Sequence, residues 1–505
     1  MQLSKDTLGQ IALRKGLDIP NPKLFELPEK VLQFVSGVIL RWLPDYFIDK
    51  ANKQGIFNGR VVIVKTTSSD SSAFDKQDGL FTACIRGLEN GNIIKENIIN
   101  ASISRVLSAK SDWKRILECA HNPEMKIVIS NTTEIGIELI QDDIYGDPPV
   151  SFPGKLLAFL YERYKAFNGS EASGMVIIPT ELISDNGSKL EGIVLELAHW
   201  NNLEFKFIEW LETHNTFCNS LVDRIVPGKP IDSVHKEMEI SLGYADDLLI
   251  ISEVFRLWAI EGNEKVKQAL SFSKTDMGVV ITSDITYFKE LKLRLLNGAH
   301  TFNSGIAFLS GFNYTRESVS DKAFLGFMKK LIFIDIADAI PFDIDKKIKE
   351  DFAAKVLDRF ANPFIDHLWL SITVQQTAKM KLRNIPLLVN HYRKHTEVPV
   401  FMAVCFAGYL LFMRSVKKTG DTYFGERNGA EYEIKDDSAA YFYNAWHNLS
   451  GAELPKAILR DEALWDTDLT KLPGFLDAVQ EALSDMLRYG VFETIKKLDS
   501  NKVTA

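Results

Sequence analysis

Cysteine is scarce and never paired. The 505 residues contain four, Cys84, Cys119, Cys218 and Cys405. They stand singly with no C-x-x-C among them, which argues against a zinc ribbon or a disulfide framework and predicts four small buried hydrophobes. Cationic excess is lacking too: a formal charge of −8 and a pI near 5.7 leave no sign of the basic face that a nucleic-acid binder shows. Only one apolar run is long, 398–413. It contains Pro399 and is too short to span a bilayer comfortably, so it predicts a buried helix of a large core. The opening residues Met1-Gln-Leu-Ser-Lys-Asp-Thr-Leu-Gly lack the apolar core of a secretory signal, and a cytoplasmic location is expected. Internal repeats and low-complexity tracts do not stand out. The 46% hydrophobic and 25% charged composition is ordinary for a globular chain, with enough residues for two or three domains.

Two regimes of apolar spacing follow one another. In the first half, Val31-Leu-Gln-Phe34, Val61-Val-Ile-Val64, Met125-Lys-Ile-Val-Ile129 and Met175-Val-Ile-Ile178 are short, apolar and well separated, as parallel strands joined by crossover helices should be. They predict a doubly wound α/β sheet. From about Tyr287 the spacing turns helical, through Ala323-Phe-Leu-Gly-Phe-Met328 and Ile348-Lys-Glu-Asp-Phe-Ala-Ala-Lys-Val356. The expected organisation is a Rossmann-like dinucleotide-binding domain with an N-terminal extension over 1–284, then a mainly α-helical substrate and catalytic domain over 285–505.

The densest chemistry lies in Lys292-Leu-Arg-Leu-Leu-Asn297-Gly-Ala-His300. On an α-helix, at ~100° per residue, His300 falls about 80° and Asn297 about 140° around from Lys292, so one pocket can face all three. A ketone accepting hydride gathers negative charge on oxygen. A lysine ammonium can protonate that oxygen, while a carboxamide N–H and an imidazole donate hydrogen bonds to it. Burial beside another cation lowers a lysine pKa enough for the same group to act as base in the reverse direction. No metal is needed. The same residues also read as an amphipathic helix end, and spacing alone leaves both readings open.

The segment Tyr287-Phe-Lys-Glu-Leu-Lys-Leu-Arg-Leu-Leu-Asn-Gly-Ala-His-Thr301 resembles the active-site helix of the long-chain mannitol dehydrogenase family, metal-independent polyol and sugar-acid oxidoreductases. Gln77-Asp-Gly-Leu-Phe-Thr82, His121-Asn-Pro-Glu-Met125, Ser130-Asn-Thr-Thr-Glu134 and Asn219-Ser-Leu-Val-Asp-Arg-Ile-Val-Pro227 resemble further family blocks in the same order. Phe152-Pro-Gly-Lys-Leu156, Phe167-Asn-Gly169, Ile178-Pro-Thr-Glu-Leu-Ile183 and Gly425-Glu-Arg-Asn-Gly429 are most similar to its tagaturonate reductase branch. The resemblance implies NAD as cofactor and hydride exchange between tagaturonate and altronate, with Lys292 as general acid and base and Asn297 and His300 stabilising oxygen. It also implies cofactor contacts from Ser36, Gly37, Lys65, Asp78, Asn131, Thr132 and Glu134, and substrate contacts from Glu181, Asn219, Asp223 and Arg359. Arg359 is the favoured partner of the substrate carboxylate, with Lys381 and Arg383 read as a solvated basic face.

Three departures qualify the resemblance. The turn after the first strand reads Phe34-Val35-Ser36-Gly37-Val38-Ile39, with Val35 at a family glycine and Ile39 at a family aromatic. A glycine there lets the pyrophosphate approach the backbone. A valine forced to positive φ would be strained, so a turn of different geometry is expected; weakened cofactor binding and drifted chemistry are the alternatives. Lys65 stands where an acid would grip the adenosine ribose, which leaves NADP open beside NAD. Leu182 replaces an asparagine of the oxyanion set, as in the tagaturonate reductase branch. An epimerase with retained NAD and a non-catalytic paralogue stay open as alternatives, as does a monomeric or homodimeric state.

Overall fold

The computed structural model describes residues 1–66, 70–133 and 136–500, with side chains as far as residue 498. The chain divides into two compact units, Met1–Gly87 with Ile93–Ile285, and Leu88–Asn92 with Thr286–Ala505.

The first unit is built on a six-stranded sheet. Its strands are β1 (Glu29–Phe34), β2 (Arg60–Lys65), β3 (Ile103–Ser108), β4 (Ile127–Ser130), β5 (Val176–Pro179) and β6 (Thr216–Phe217). All pairings are parallel, in the order β3-β2-β1-β4-β5-β6, which is the doubly wound dinucleotide-fold order. Successive side chains enter opposite cores. Val31, Val61, Ile63, Ile127 and Ile129 pack on one face, whereas Leu32, Val62, Val64 and Val128 pack on the other. Burial on both faces is why these strands read as unbroken apolar runs.

Strand β3, Ile-Ser-Arg-Val-Leu-Ser, carries too much polarity to stand out in sequence. A second sheet, formed by Leu17–Asp18, Asn92–Asn100, Phe81–Glu89 and Ile250–Ser252, is covered by Leu3, Leu8 and Ile11 of the N-terminal extension.

The second unit is helical around Val400–Phe412, the helix foreseen in the long apolar run, and nearly all of its residues are buried. No described helix is long and apolar enough to cross a membrane. Ala299–Leu309 packs against it through Gly305 and Gly408. A Cβ on Gly408 would stand 2.8 Å from the Ile306 Cβ, and one on Gly305 3.1 Å from the Phe412 Cβ, so glycine sets the closeness of the two helices. Helical spacing did not foresee the antiparallel sheet of Lys417–Thr419, Thr422–Arg427 and Ala430–Glu433. The Tyr432 hydroxyl anchors that sheet by donating to the Phe412 carbonyl at 2.7 Å.

One buried acid of the first unit sets a stability prediction. Asp45 is fully buried. Its Oδ2 accepts a long 3.4 Å bond from Gln33, and its Oδ1 has no partner. Burial pushes its carboxyl up to about 7. Against about 3.9 in the unfolded chain, the native state holds an extra proton between those values. Stability from this group is therefore full below the unfolded value and is lost as pH rises toward the folded one. Asp45→Asn, which mimics the protonated acid, should be more stable than wild type at pH 8 and much closer to it at pH 5, as read by urea unfolding.

Candidate active site

Lys292, Asn297 and His300 share one continuous helical stretch, but not the α-helix predicted for it. Leu291–Gly298 is a π-helix, entered from Thr286–Glu290 and continued by Ala299–Leu309. A π turn closes on the residue five ahead instead of four. The angles drawn from an α repeat are thereby corrected: Lys292 and Asn297 stand on successive turns of one side, both half-buried, and His300 follows in the first α turn. Among the described residues the Asn297 carboxamide makes no hydrogen bond, so its N–H groups remain to be given.

Side chains fasten this π turn to its neighbours. Arg294 donates to Glu290 at 2.9 Å and to the Leu382 and Arg383 carbonyls at 2.8 and 2.7 Å. Those carbonyls belong to a second π segment, Met380–Asn384, whose Asn384 returns a 3.0 Å bond to the Gly298 carbonyl. Thr301 gives its hydroxyl to the Asn297 carbonyl at 2.8 Å.

His300 is only 8% exposed. Its ring lies 4.3 Å from Phe360, 5.1 Å from His367 and 6.3 Å from Trp369 by ring centres. Burial, reinforced by His367, Arg359 and Arg383, holds the imidazole well below its ordinary value, against the opposing bond to the Leu296 carbonyl. The ring is neutral. Its Nε2 is buried with no partner, which leaves Nδ1–H for Leu296 and a lone pair on Nε2. In that tautomer Nε2 is an acceptor, whereas the expected donation to a ketone oxygen needs the proton on Nε2.

Arg359 joins these residues from the last turn of Lys346–Phe360, 8% exposed. Sequence reasoning missed His367 and misread Arg383. Arg383 is half-buried and donates through Nη1 to the Asn297 carbonyl at 3.5 Å and the Thr301 hydroxyl at 3.1 Å. Lys381 points elsewhere, pairing with Asp466 at 2.8 Å. No sequence signal singles out His367, because it follows a chain reversal rather than sharing a helix with His300.

In the first unit, the C-terminal edge of the sheet gathers the other candidates. Gly37 caps Val38–Trp42 without any side-chain hydrogen bond, and a Cβ built on it would meet nothing nearer than the Val35 Cγ1 at 3.8 Å. Open space at first-turn amides fits a dinucleotide pyrophosphate. Val35 itself has φ +81°, so the expected side-chain-tolerant turn is overturned. The Val35 N–H bonds the Val64 carbonyl at 2.8 Å, which holds the backbone in this conformation despite the Cβ. Ser36 and Gly37 are both partly exposed beside it.

The edge between β4 and β5 is latched by Glu181, 2% exposed. Its carboxylate accepts the Thr132 N–H at 2.8 Å, the Thr132 hydroxyl at 2.9 Å and the Ser130 hydroxyl at 3.2 Å. Asn131 donates to the Thr180 carbonyl at 3.0 Å. Glu134 lies outside the described residues. Lys65, at the end of β2, gives its ammonium to the Asp70 carbonyl, and Asp70 accepts the Ser72 N–H at 3.0 Å.

Other candidates have clear structural tasks. Asp78 accepts the Lys5 N–H at 2.9 Å and so holds the N-terminal extension. Asn219 donates to Glu261 at 2.8 Å and accepts the Ser188 N–H at 3.0 Å. Asp223 is buried on a strand paired to Leu257. Its neighbour Arg224 is committed to the Trp42 carbonyl at 2.7 Å and lies 4.6 Å over the Trp42 ring. All four cysteines are buried free thiols, and no group of three metal-ligating residues occurs among the described residues.

Two family models cover most of the chain: the mannitol dehydrogenase Rossmann domain matches residues 29–274, and the mannitol dehydrogenase C-terminal domain matches 284–487. The altronate oxidoreductase of Bacillus subtilis (strain 168) is 36% identical over 478 residues, 94% of this chain and 95% of that protein. The chain belongs to the mannitol dehydrogenase family. A second relative, the altronate oxidoreductase of Klebsiella pneumoniae (strain 342), is 37% identical over 483 residues, covering 94% and 97%.

Two solved family structures share the fold. Mannitol 2-dehydrogenase of Pseudomonas fluorescens, solved with NAD and D-mannitol, has a TM-score of 0.66 at 22% identity over 99% of both chains. A D-sorbitol dehydrogenase has a TM-score of 0.77 at 19% identity, over 98% of this chain and 100% of its own.

Within this mannitol dehydrogenase fold, Val35 yields a test. Glycine at φ +81° removes about 1–3 kcal/mol of backbone strain and costs about 0.5–1 kcal/mol of chain entropy. Val35→Gly should therefore gain about 0.5–2 kcal/mol in urea unfolding. It should also bind NADH more tightly in a fluorescence titration, and a loss of stability would show that the valine is not strained.

Proposed function

We propose that this chain is an NAD-dependent oxidoreductase that interconverts D-tagaturonate and D-altronate. The substrate assignment rests on the near-full-length likeness to altronate oxidoreductases. The chemistry is supported by one observation: Lys292, Asn297 and a buried His300 follow one another along a single π-to-α helical stretch.

NADH, when bound, supplies the hydride to the ketone carbon and becomes NAD. The pyrophosphate would lie at Ser36 and Gly37, with Asn131 and Thr132 at the nicotinamide end. Lys292 delivers its ammonium proton to the ketone oxygen as negative charge develops there. The Asn297 carboxamide N–H stabilises that oxygen before the proton arrives. His300 accepts from a substrate hydroxyl through Nε2 and orients the carbon chain, and because the ring is neutral it does not compete with Lys292 for the proton. In the oxidative direction the same lysine, deprotonated, takes the alcohol proton. Four unpaired thiols fit a reducing cytoplasm.

The test is NADH oxidation with tagaturonate, fructuronate and fructose. Wild type should prefer tagaturonate, and Lys292→Ala should lose about 10²–10⁴-fold in kcat. Full turnover in that variant would remove the assigned proton donor. Epimerised sugar without net change in NADH would replace the redox reading with an epimerase.

A further inference from the structure

We infer that Arg383 and His367 form the carboxylate-recognising end of the substrate site, and that this pair makes the protein select a sugar acid over a neutral ketose. The inference rests on the sugar-acid reading above and assigns the carboxylate to groups other than Arg359, the residue favoured by sequence.

Geometry carries the assignment. His300, with its buried and unpartnered Nε2, is a common neighbour of the two groups. The His367 ring is 5.1 Å from it, and Arg383 lies over the turn that leads into it, bonded to the Asn297 carbonyl and the Thr301 hydroxyl. Among the described residues, only Nη1 of Arg383 is engaged, so Nε and Nη2 keep the forked N–H pair that matches a carboxylate. The His367 side chain makes no hydrogen bond among the described residues and is partly exposed. Both can give N–H groups to a ligand without surrendering a protein contact.

The local field is of one sign. Burial and Arg359 depress His367, and burial depresses Arg383. Burial and Arg383 depress Lys379, which donates to the Ile372 carbonyl at 2.9 Å. No carboxylate contributes to the shifts of His300, His367 or Arg383. Nearby acids are engaged, Asp366 with Arg316 and Asp436 with the Thr377 and Ser438 N–H groups. A half-buried cationic cluster of this kind is costly to keep empty of anions, and a ligand carboxylate relieves it. A neutral ketose offers nothing in return for desolvating the same groups, so the cluster discriminates against it.

The experiment uses His367→Gln and Arg383→Lys in the full chain, with urea midpoints to confirm folding. KM for tagaturonate should rise about 10- to 100-fold with kcat within about threefold, while kcat/KM for D-tagatose stays near the wild-type value, so the acid-over-neutral preference collapses. Equal losses on acid and neutral substrates, or none, would overturn the assignment. Calorimetric titration with D-altronate and D-altritol separates this inference from the proposed reaction. Wild type that binds altronate but not altritol, with variants that lose altronate, sustains the carboxylate site even if no turnover is seen. Wild type that binds both equally, or neither, overturns it.

Discussion

The second unit turns on a change of hydrogen-bond pairing. Across Leu291–Gly298 the backbone closes on the fifth residue instead of the fourth, and this brings Lys292 and Asn297 to one side and delivers His300 into the first turn of the following α-helix. A π turn is less regular than an α turn and must be secured from outside. Arg294, Asn384 and Thr301 do so by donating to its carbonyls and to those of the neighbouring π segment. Each of these three is buried, so each places a donor on a carbonyl while fixing the register of Lys292, Asn297 and His300.

Burial then sorts the charges. His300 sits against Phe360 and Trp369 under the influence of the Arg359 and Arg383 guanidiniums, and the cheapest state for it is neutral. Neutrality fixes which ring nitrogen carries the proton, because Leu296 offers a carbonyl to Nδ1. In the proposed reaction the oxygen-stabilising duty falls to Asn297 and the proton to Lys292, a division between an uncharged orienting group and a charged donor.

Legibility followed periodicity. Strands β1, β2, β4 and β5 were readable because burial on two faces demands continuous apolar residues, and the helix Val400–Phe412 was readable for the same reason. Strand β3 and the sheet around Thr422–Arg427 were not, since polar residues break up their apolar ones and look like loop. The trio of Lys292, Asn297 and His300 was found by residue type, yet its geometry was drawn wrongly, because no local pattern distinguishes a π turn from an α turn. Arg383 reads in sequence as a solvated charge because helix faces usually carry such residues; it packs instead on the distant turn 297–301, which sequence spacing does not reveal. His367 lies on an irregular segment with no period at all.

Val35 shows how fold and function constrain each other differently in the two units. Its backbone takes the positive φ that a glycine would take, since the parallel sheet and the Val64 carbonyl determine where the chain must leave β1. The scaffold therefore overrules the residue, at a cost of about 1–3 kcal/mol that the two hydrophobic cores of the sheet can absorb. In the helical unit the relation is reversed: the residues overrule the scaffold, because Arg294 and Asn384 hold a backbone pairing that an unaided helix would abandon. Nucleotide folds tolerate a poor residue in a well-determined turn, whereas the catalytic helix has no such frame and depends on the side chains that brace it. Change in the bracing set thus reaches the chemistry directly, while change in the glycine turn reaches it only through cofactor affinity.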